Sequence, residues 1–324
     1  MNNFNPVIPI ASLGLHPGKS MRFVGDVQTL EFDEFGLFGD RAVMFVEATE
    51  HVNTNWRKGN ISDVGSLITQ REDSVLTQVV PTINSKTGII SLRLDNASGL
   101  ETRNISLAAD TPANHIPISV WGWKGIGVDL GDELADFGEE VIGRPVRLVG
   151  VSKNEPRFVE SNKKLGRVGF ADSTPLLITS VGSINAVNAK LRERGKDEIP
   201  LNRWRANIVL DCDEPWIEDR IASITFEDAN GEQLIAMRLK ACGRCPVPDT
   251  DQLTGATGHD VRSALGKLGR NGIHSNTTKY GSAKELFFGQ GFVIRKNTTP
   301  FDLSVGNLGI ASLTTHPNWI APLH

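Results

Sequence analysis

Two cysteines in the second half of the chain form the segment with the most evident chemical potential. Cys242 and Cys245 flank a glycine and Arg244 in the sequence Cys-Gly-Arg-Cys. The thiolate form of cysteine is the nucleophile and the metal ligand, and a neighbouring cation such as Arg244 favours that form. The spacing alone leaves three other interpretations open: half of a zinc site, a thioredoxin-like redox pair, or two inert core thiols. The segment therefore predicts thiolate chemistry without specifying its kind.

Neither zinc nor thioredoxin chemistry gains support from the rest of the sequence. Cys212 is the only other cysteine, and no pair of histidines at metal-ligand spacing accompanies the segment. A thioredoxin-like pair would lie in a βαβ unit, which the surrounding pattern does not predict. The adjacent carboxylates Glu218 and Asp219 have the residue types for acid–base catalysis, but we favour a structural role for both.

The composition argues against several classes of protein. With 34 basic and 38 acidic side chains the formal net charge is −4, whereas binding to a nucleic acid polymer needs a surplus of cations. The N-terminal segment lacks a basic stretch followed by an apolar one, and nowhere do about 18 apolar residues follow one another. Three cysteines cannot form a disulfide framework and fit a reducing compartment. We therefore expect a cytoplasmic protein with no membrane association.

The first part of the chain has the pattern of antiparallel β-structure. A length of 324 residues predicts two domains at about 150 residues each. Up to about Val120, short stretches rich in Val, Ile and Leu, as at residues 42–46, 75–80 and 89–94, are separated by clusters of Gly, Asn, Asp and Pro. These stretches are predicted to be strands.

The second part mixes helices with strands. Asp132 is the predicted N-cap of a first helix and Ser180 that of a second, and Asn230-Gly231 predicts a hairpin turn. Strands are predicted at residues 146–151, 208–211, 221–226, 234–239 and 291–295, and a third helix around residues 261–268. The predicted fold class is mainly β (α+β): two β-barrel-like domains, residues 1–150 and 151–324, with a few peripheral helices.

Several segments, in their order and spacing, resemble a known family. In the second half these are Phe170-Ala171-Asp172-Ser173-Thr174-Pro175, Trp204-Arg205-Ala206-Asn207-Ile208 and Cys242-Gly243-Arg244-Cys245, which look like successive signature segments of the MOSC domain. In the first half His16-Pro17-Gly18-Lys19-Ser20, Gly39-Asp40-Arg41 and Ile68-Thr69-Gln70-Arg71 resemble the β-barrel domain that precedes MOSC in the mitochondrial amidoxime-reducing component and its bacterial relatives. The resemblance covers residues 8–309.

The resemblance implies a molybdenum cofactor, a pyranopterin whose dithiolene holds the metal, in a site between the two domains. Cys245 is then the metal ligand and catalytic residue, and Cys242 a nearby thiol that does not bind the metal. The cofactor-binding residues implied by matching position are Lys19, Ser20, Arg41, Ser173, Thr174, Arg205 and Asn207. Such side chains suit phosphate and pterin edges, because guanidinium groups bind phosphate bidentately. Arg203 would point the same way as Arg205 on a strand, so we add it, and we expect Arg71 to face cofactor or substrate.

The function implied by the resemblance is detoxifying two-electron reduction of N-hydroxylated compounds: amidoximes, hydroxylamines and N-hydroxylated nucleobases. No cysteine follows Cys245, so we expect no iron–sulfur cluster and a separate electron-donor protein, such as a ferredoxin, a flavoprotein or a cytochrome b5-like protein. Two alternatives stay open. One is a sulfur carrier, or sulfurtransferase, in which Cys245 holds a persulfide; the other is a non-catalytic protein that binds the molybdenum cofactor.

Overall fold

The computed structural model describes residues 5–23, 26–33, 36–49, 64–96, 99–106, 110–271, 285–297 and 300–314. The strands of this part are β1 (Val7–Gly14), β2 (Asp26–Val27), β3 (Thr29–Asp33), β4 (Gly36–Leu37), β5 (Val43–Glu47), β6 (Gly65–Ser66), β7 (Val79–Asn84), β8 (Ile89–Asn96), β9 (Gly99–Ser106), β10 (His115–Val120), β11 (Trp123–Asp129), β12 (Val146–Val151), β13 (Leu176–Ser180), β14 (Ile208–Leu210), β15 (Ile221–Glu227), β16 (Gln233–Gly243), β17 (Phe287–Asn297), β18 (Phe301–Ser304) and β19 (Leu308–Leu313). The α-helices are α1 (Asp132–Ile142), α2 (Val181–Glu193) and α3 (Asp260–Lys267).

A closed barrel of seven strands surrounds one hydrophobic core. The strands follow the order β14-β13-β17-β16-β15-β19-β1, and β1 pairs again with β14 to close the ring. Ile10 on β1 lies opposite Leu210 on β14, and Val7 lies opposite Ile310 on β19. The first strand of the chain thus completes a barrel whose other strands all come after residue 175. Strand pairing therefore crosses the predicted division at residue 150.

A second, nearly closed sheet lies in the first half of the chain. Its order is β5-β12-β11-β10-β6, and an isolated bridge between Val46 and Leu67 links its two ends. Helix α1 covers it, because Leu134 and Phe137 pack in one buried cluster with Phe45. The meander β7-β8-β9 and the small sheet β18-β3-β4 complete the strands. The predicted mainly β fold of two barrel-like units with peripheral helices is confirmed.

Most predicted elements appear close to their predicted bounds. Ser180 caps α2, since its hydroxyl oxygen accepts a hydrogen bond from the Ser183 amide at 3.2 Å. The hairpin β15–β16 forms around Asn230-Gly231 as predicted. Two details were wrong. Gly131, not Asp132, occupies the N-cap of α1, and the first four residues of the predicted strand 75–80 belong to a 3₁₀ turn at residues 74–78, before β7.

The outer helices support the edge of the barrel near the cysteines. Val187 of α2 and Leu265 of α3 share a buried cluster with Trp204 and Phe288. Because this cluster lies beneath the segment that carries Arg205, the helices fix its position. The longest described α-helix has 13 residues, and among the described residues no helix has the length and apolar character needed to cross a membrane.

Candidate functional site

The residues singled out in the sequence converge on one cavity of about 120 Å³. It lies where the end of β16 meets the loops that precede β13 and β14 and the loops that follow β1 and precede β5. The predicted residues that line it are Lys19, Ser20, Arg41, Arg71, Ser173, Thr174, Arg205, Asn207 and Cys245. Both halves of the chain contribute residues to the lining of the cavity. The resemblance implied a cofactor site between the two domains.

The Cys-Gly-Arg-Cys segment forms one wall of this cavity. Cys242 is near the end of β16, and both thiols are partly exposed. The guanidinium of Arg244 donates to Cys242 Sγ at 3.3 Å and to the carbonyl oxygen of Trp204 at 3.0 Å. The cation next in sequence to Cys245 therefore contacts the other thiol. Arg205 lines the same cavity as Cys245 and lies within electrostatic range of it.

A tight turn directs Arg205 toward the cavity. Residues Leu201–Trp204 form a 3₁₀ turn, and Arg205 follows in the left-handed region with φ 54°. The indole of Trp204 stacks on Phe288 with ring centroids 3.6 Å apart, which anchors the turn. The guanidinium of Arg205 donates to the carbonyl oxygen of Met21 at 2.7 Å. Burial, and after it the charge of Arg41, lowers the pKa of Arg205 to about 9, so Arg205 stays cationic at neutral pH.

Arg203 does not belong to the cavity. We expected it on a strand with its side chain parallel to that of Arg205, but it lies in the 3₁₀ turn. Residues two apart in such a turn do not share a face. Its guanidinium instead pairs with Asp251 at 2.6 Å and donates to the carbonyl oxygen of Pro248 at 3.3 Å. The structure therefore gives Arg203 a structural contact and no place among the lining residues.

Asn207 positions Arg41, and the hydrogen-bonding groups of its side chain are all used within the protein. Its amide nitrogen donates to Gly14 O at 3.2 Å and to Asp40 Oδ1 at 3.1 Å. Its amide oxygen accepts from the Leu177 amide at 3.0 Å and from Arg41 Nη1 at 3.3 Å. Both donors and both acceptor positions of the side chain are thus occupied. In this structure Asn207 orients Arg41, and its contact with a cofactor stays a prediction.

Arg41 is held on a buried carboxylate. Its guanidinium pairs with Asp40 at 2.5 Å and donates to the carbonyl oxygen of Arg205 at 3.1 Å. Burial raises the pKa of Asp40, and the charge of Arg41 opposes this rise. Below them His16 is fully buried, and burial followed by the charges of Arg41 and Arg205 lowers its pKa well below the ordinary value. His16 is therefore neutral and adds no charge to the site.

Lys19 and Asp172 form an ion pair on the opposite side of the cavity. Lys19 is 6% exposed, and its ammonium group donates to Asp172 Oδ1. The indole nitrogen of Trp121 donates to the same oxygen at 3.0 Å, and Arg71 approaches the other oxygen at 3.9 Å. Burial by itself would raise the pKa of Asp172, but the charge and hydrogen bond of Lys19 outweigh it and hold that pKa well below its usual range. Asp172 is thus an anion that fixes three groups at the cavity.

The loop that carries Ser173 and Thr174 is fixed from behind by Arg157. Its guanidinium donates to the carbonyl oxygens of Gly169 at 3.0 Å and Ala171 at 2.5 Å. Gly169 suits this position, because a Cβ atom here would make a tight 3.0 Å contact with the carbonyl oxygen of Arg41. The loop and the Arg41 segment can therefore approach closely, and their hydroxyl and guanidinium groups share one cavity.

Backbone strain is concentrated around this cavity. Seven non-glycine residues in the described part have positive φ, and the four that line the cavity are Ser20 (59°), Arg41 (47°), Trp121 (54°) and Arg205 (54°). Such conformations cost energy for residues with a Cβ atom and persist where the surroundings enforce them, which is common at binding sites. The concentration identifies this cavity as the candidate functional site on grounds independent of any motif.

The charges of the lining suit an anionic group. Five cationic side chains and one carboxylate line the cavity: Lys19, Arg41, Arg71, Arg205, Arg244 and Asp172. In the described part of the chain the guanidinium groups of Arg205 and Arg244 bond only to carbonyl oxygens and a thiol. Buried cations are stable when an anion compensates them. A phosphate-bearing cofactor with a metal beside the partly exposed Cys245 thiol fits this donor set.

Among the lining residues that were not identified as site residues from the sequence are Trp121, Asp172 and Arg244. Trp121 stands in the hairpin turn between β10 and β11. Asp172 was within a quoted motif but without an assigned contact, and Arg244 was considered only as a neighbour of the thiols. For Asp172 the adjacent Ser-Thr pair was the available signal. For Trp121 no sequence signal distinguished it from an ordinary surface aromatic.

Comparisons with known proteins give relatives at low identity. The chain is 26% identical to human mitochondrial amidoxime-reducing component 1 over 263 residues, which cover 78% of this chain and 73% of the relative. It is 25% identical to the zebrafish (Danio rerio) molybdenum cofactor sulfurase over 214 residues, 60% of this chain. That match spans only 24% of the sulfurase. The YUAD protein from Bacillus subtilis matches 96% of this chain and 99% of its own with 10% identity and a TM-score of 0.37, which is too low to support a conclusion.

Two family models match consecutive parts of the chain. The MOSC N-terminal beta barrel domain matches residues 7–145, and the MOSC domain matches residues 166–296. The cavity is lined from both matched regions, by Lys19 and Arg41 in the first and by Arg205 and Cys245 in the second. The chain belongs to the MOSC-domain proteins and carries the MOSC N-terminal beta barrel domain before its MOSC domain.

Proposed function

We propose that this protein is a molybdenum-dependent oxidoreductase that reduces N-hydroxylated compounds at a pyranopterin held by Cys245. The observation that carries the proposal is the convergence of two partly exposed thiols, five cations and four strained backbone positions on a single cavity. Similarity to a mitochondrial amidoxime-reducing component over 78% of the chain supports the reaction class. The substrates we propose are amidoximes, hydroxylamines and N-hydroxylated nucleobases.

The lining residues have two main tasks in this proposal, binding the metal and binding the rest of the cofactor. The Cys245 thiolate binds the metal, and the adjacent Arg205 charge stabilises that thiolate. Lys19, Ser20, Arg41 and the Ser173-Thr174 pair bind the phosphate and the polar edges of the pterin.

The bound cofactor supplies two-electron redox chemistry, and the protein orients it and sets its electrostatic environment. Asp172 orients Lys19, and Asn207 orients Arg41. The cations that surround the cavity also favour a reducible substrate whose N–O group carries partial negative charge.

The proposed reaction needs a source of electrons and a cellular location. We propose a cytoplasmic protein whose electrons come from a separate donor, a ferredoxin, a flavoprotein or a cytochrome b5-like protein, with no iron–sulfur cluster in the chain. Neither a nucleic acid polymer nor a membrane is a partner in this scheme. Reduction with a dye in place of the donor tests the reaction independently of that partner.

Sulfur transfer is a second candidate function. Cys245 is partly exposed in a cationic cavity, and the chain is 25% identical over 60% of its length to a molybdenum cofactor sulfurase. In this alternative Cys245 carries a persulfide, and the cations bind the acceptor. The two functions differ in metal content, because a sulfur carrier needs no resident molybdenum.

Metal analysis followed by a dye-linked assay tests the proposed function. The protein, expressed in a host that makes the cofactor, should contain about one molybdenum per chain and should oxidise a reduced viologen dye when given benzamidoxime or 6-hydroxylaminopurine. Molybdenum without turnover would indicate a cofactor-binding protein. A chain free of molybdenum that accepts sulfur from a cysteine desulfurase would establish the alternative.

A further inference from the structure

Trp121 is an exposed aromatic residue at the rim of the candidate site. It begins the turn between β10 and β11, where Val120 pairs with Trp123. Its side chain lines the cavity, yet 48% of the residue is accessible to solvent. The exposed part of the indole is therefore available to a ligand that enters the site.

The indole is held in place by two contacts on a strained backbone. Trp121 has φ 54°, a region that side chains with a Cβ atom disfavour. The guanidinium of Arg71 lies over the ring, 4.2 Å from its centroid. The indole nitrogen donates to Asp172 at 3.0 Å. One face and one edge are thereby fixed, and the ring is presented rigidly beside the cations of the cavity.

A second arginine–tryptophan stack shows what the same geometry does when it serves packing. Trp216 has φ 67°, and Arg270 lies 4.2 Å from its ring centroid. That indole packs edge-on against Phe288 with centroids 6.1 Å apart. That indole is thus packed on two sides within the protein, and it does not line the cavity. The contrast assigns the solvent-accessible surface of Trp121 to a function other than packing.

We propose that Trp121, fixed by Arg71 and Asp172, is a stacking platform that selects planar aromatic N-hydroxylated substrates over aliphatic ones. This inference rests on the proposed function and specifies which members of its substrate class fit. A flat ring gains contact with the indole face, whereas a small aliphatic hydroxylamine does not. The Arg71 guanidinium covers the other face of the indole, and its charge favours electron-rich rings on the free face.

Substrate selectivity of matched variants tests the platform. Trp121→Ala should raise the KM for 6-hydroxylaminopurine about tenfold, in line with the loss of one base–aromatic stack, and leave the KM for N-methylhydroxylamine unchanged. Trp121→Phe should recover most of the loss. Trp216→Ala is the control: it removes an equivalent stack and should lower the melting temperature without changing the ratio of the two KM values. Equal changes for both substrates in Trp121→Ala would overturn the platform.

Binding without turnover separates this inference from the proposed function. Isothermal titration of 6-hydroxylaminopurine into the purified full chain, with molybdenum content measured in each sample, requires no electron donor. Binding that weakens about tenfold in Trp121→Ala but not in Trp216→Ala supports the platform even if no substrate is reduced, in which case only the proposed reaction fails. Equal affinity of the wild type and Trp121→Ala, or no binding to either, overturns the platform even if reduction is observed.

Discussion

The cavity around Cys245 and the buried polar cluster beside helix α2 both contain charged groups, but the two regions neutralise them differently. In the cluster, Glu218 accepts hydrogen bonds from Thr179, Ser180 and Ser183 at 3.1, 2.9 and 2.9 Å. Asp219 pairs with Arg270 at 2.5 Å and accepts from Gln290 at 2.6 Å. In the cavity, the guanidinium groups of Arg205 and Arg244 bond to carbonyl oxygens and a thiol, without a carboxylate among the described residues.

This difference separates a structural network from a binding site. Every carboxylate oxygen of the Glu218–Asp219 pair has a partner inside the protein, which supports the structural role favoured from the sequence. The cavity holds cations whose compensation is incomplete within the described chain. Buried polar groups are normally satisfied, so an incomplete set that lines an open space indicates a ligand.

Removing the proposed metal ligand should have the largest effect. Cys245→Ala should reduce bound molybdenum by more than about tenfold, because no other thiol is expected to bind the metal, while Cys242→Ala should largely retain it. Metal analysis by mass spectrometry on folded, monodisperse protein measures both. Equal loss from the two variants would instead favour a dithiol site and remove Cys245 from its special position.

Disrupting the buried Glu218–Asp219 cluster should lower the stability of the protein. Arg270→Ala leaves the 4%-exposed Asp219 carboxylate without its partner, which should cost about 3 to 5 kcal/mol in the free energy of unfolding. Arg244→Ala should cost less, because its partners are a carbonyl oxygen and a thiol. Urea denaturation measures both values. Similar losses from the two variants would contradict the distinction between the regions.

The cluster should also make stability depend on pH. Burial, and after it the charge of Asp219, raises the pKa of Glu218 from 4.5 to about 7. Because the folded state holds the proton more tightly, this group's contribution is fully present below pH 4.5 and is lost as the pH rises through 7, by about 3 kcal/mol at most. Glu218→Gln should flatten the unfolding free energy between these pH values. An unchanged slope would show that Glu218 does not titrate there.

Weakening one cation of the cavity should have a smaller effect on the ligand. Arg205→Ala should weaken cofactor retention about 10- to 100-fold, or roughly 1.4 to 2.8 kcal/mol, with little change in melting temperature. Arg203→Ala is the matched control two residues away, since its guanidinium pairs with Asp251 outside the cavity. Retention after stepwise dialysis, followed by pterin fluorescence, measures the difference. A loss of equal size in both variants would place the two arginines in the same role.

Local signals in the sequence predicted a good part of the fold. Ser180 before the apolar face of α2 and Asn230-Gly231 between two β-rich stretches act over a few residues, so the patterns that predict them need no tertiary information. The same holds for strand β12, whose bounds matched the prediction. The sequence patterns did not predict which strands pair with each other. β1 completes the barrel of the second half, because hydrogen bonds between strands do not depend on their separation in the chain.

At the site, sequence patterns indicated the available residue types: a thiol pair, the arginines and the Ser-Thr pair, at spacings that resemble a family. The contacts of these residues became evident only in the folded chain. Arg205 lines the cavity, whereas Arg203 pairs with Asp251 outside it. The side-chain hydrogen bonds of Asn207 are all made within the protein. Trp121 and Asp172 come together at the rim of the cavity. The direction of a side chain depends on the local backbone conformation. Its hydrogen-bond partners can lie more than a hundred residues away in the sequence, as for Lys19 and Asp172.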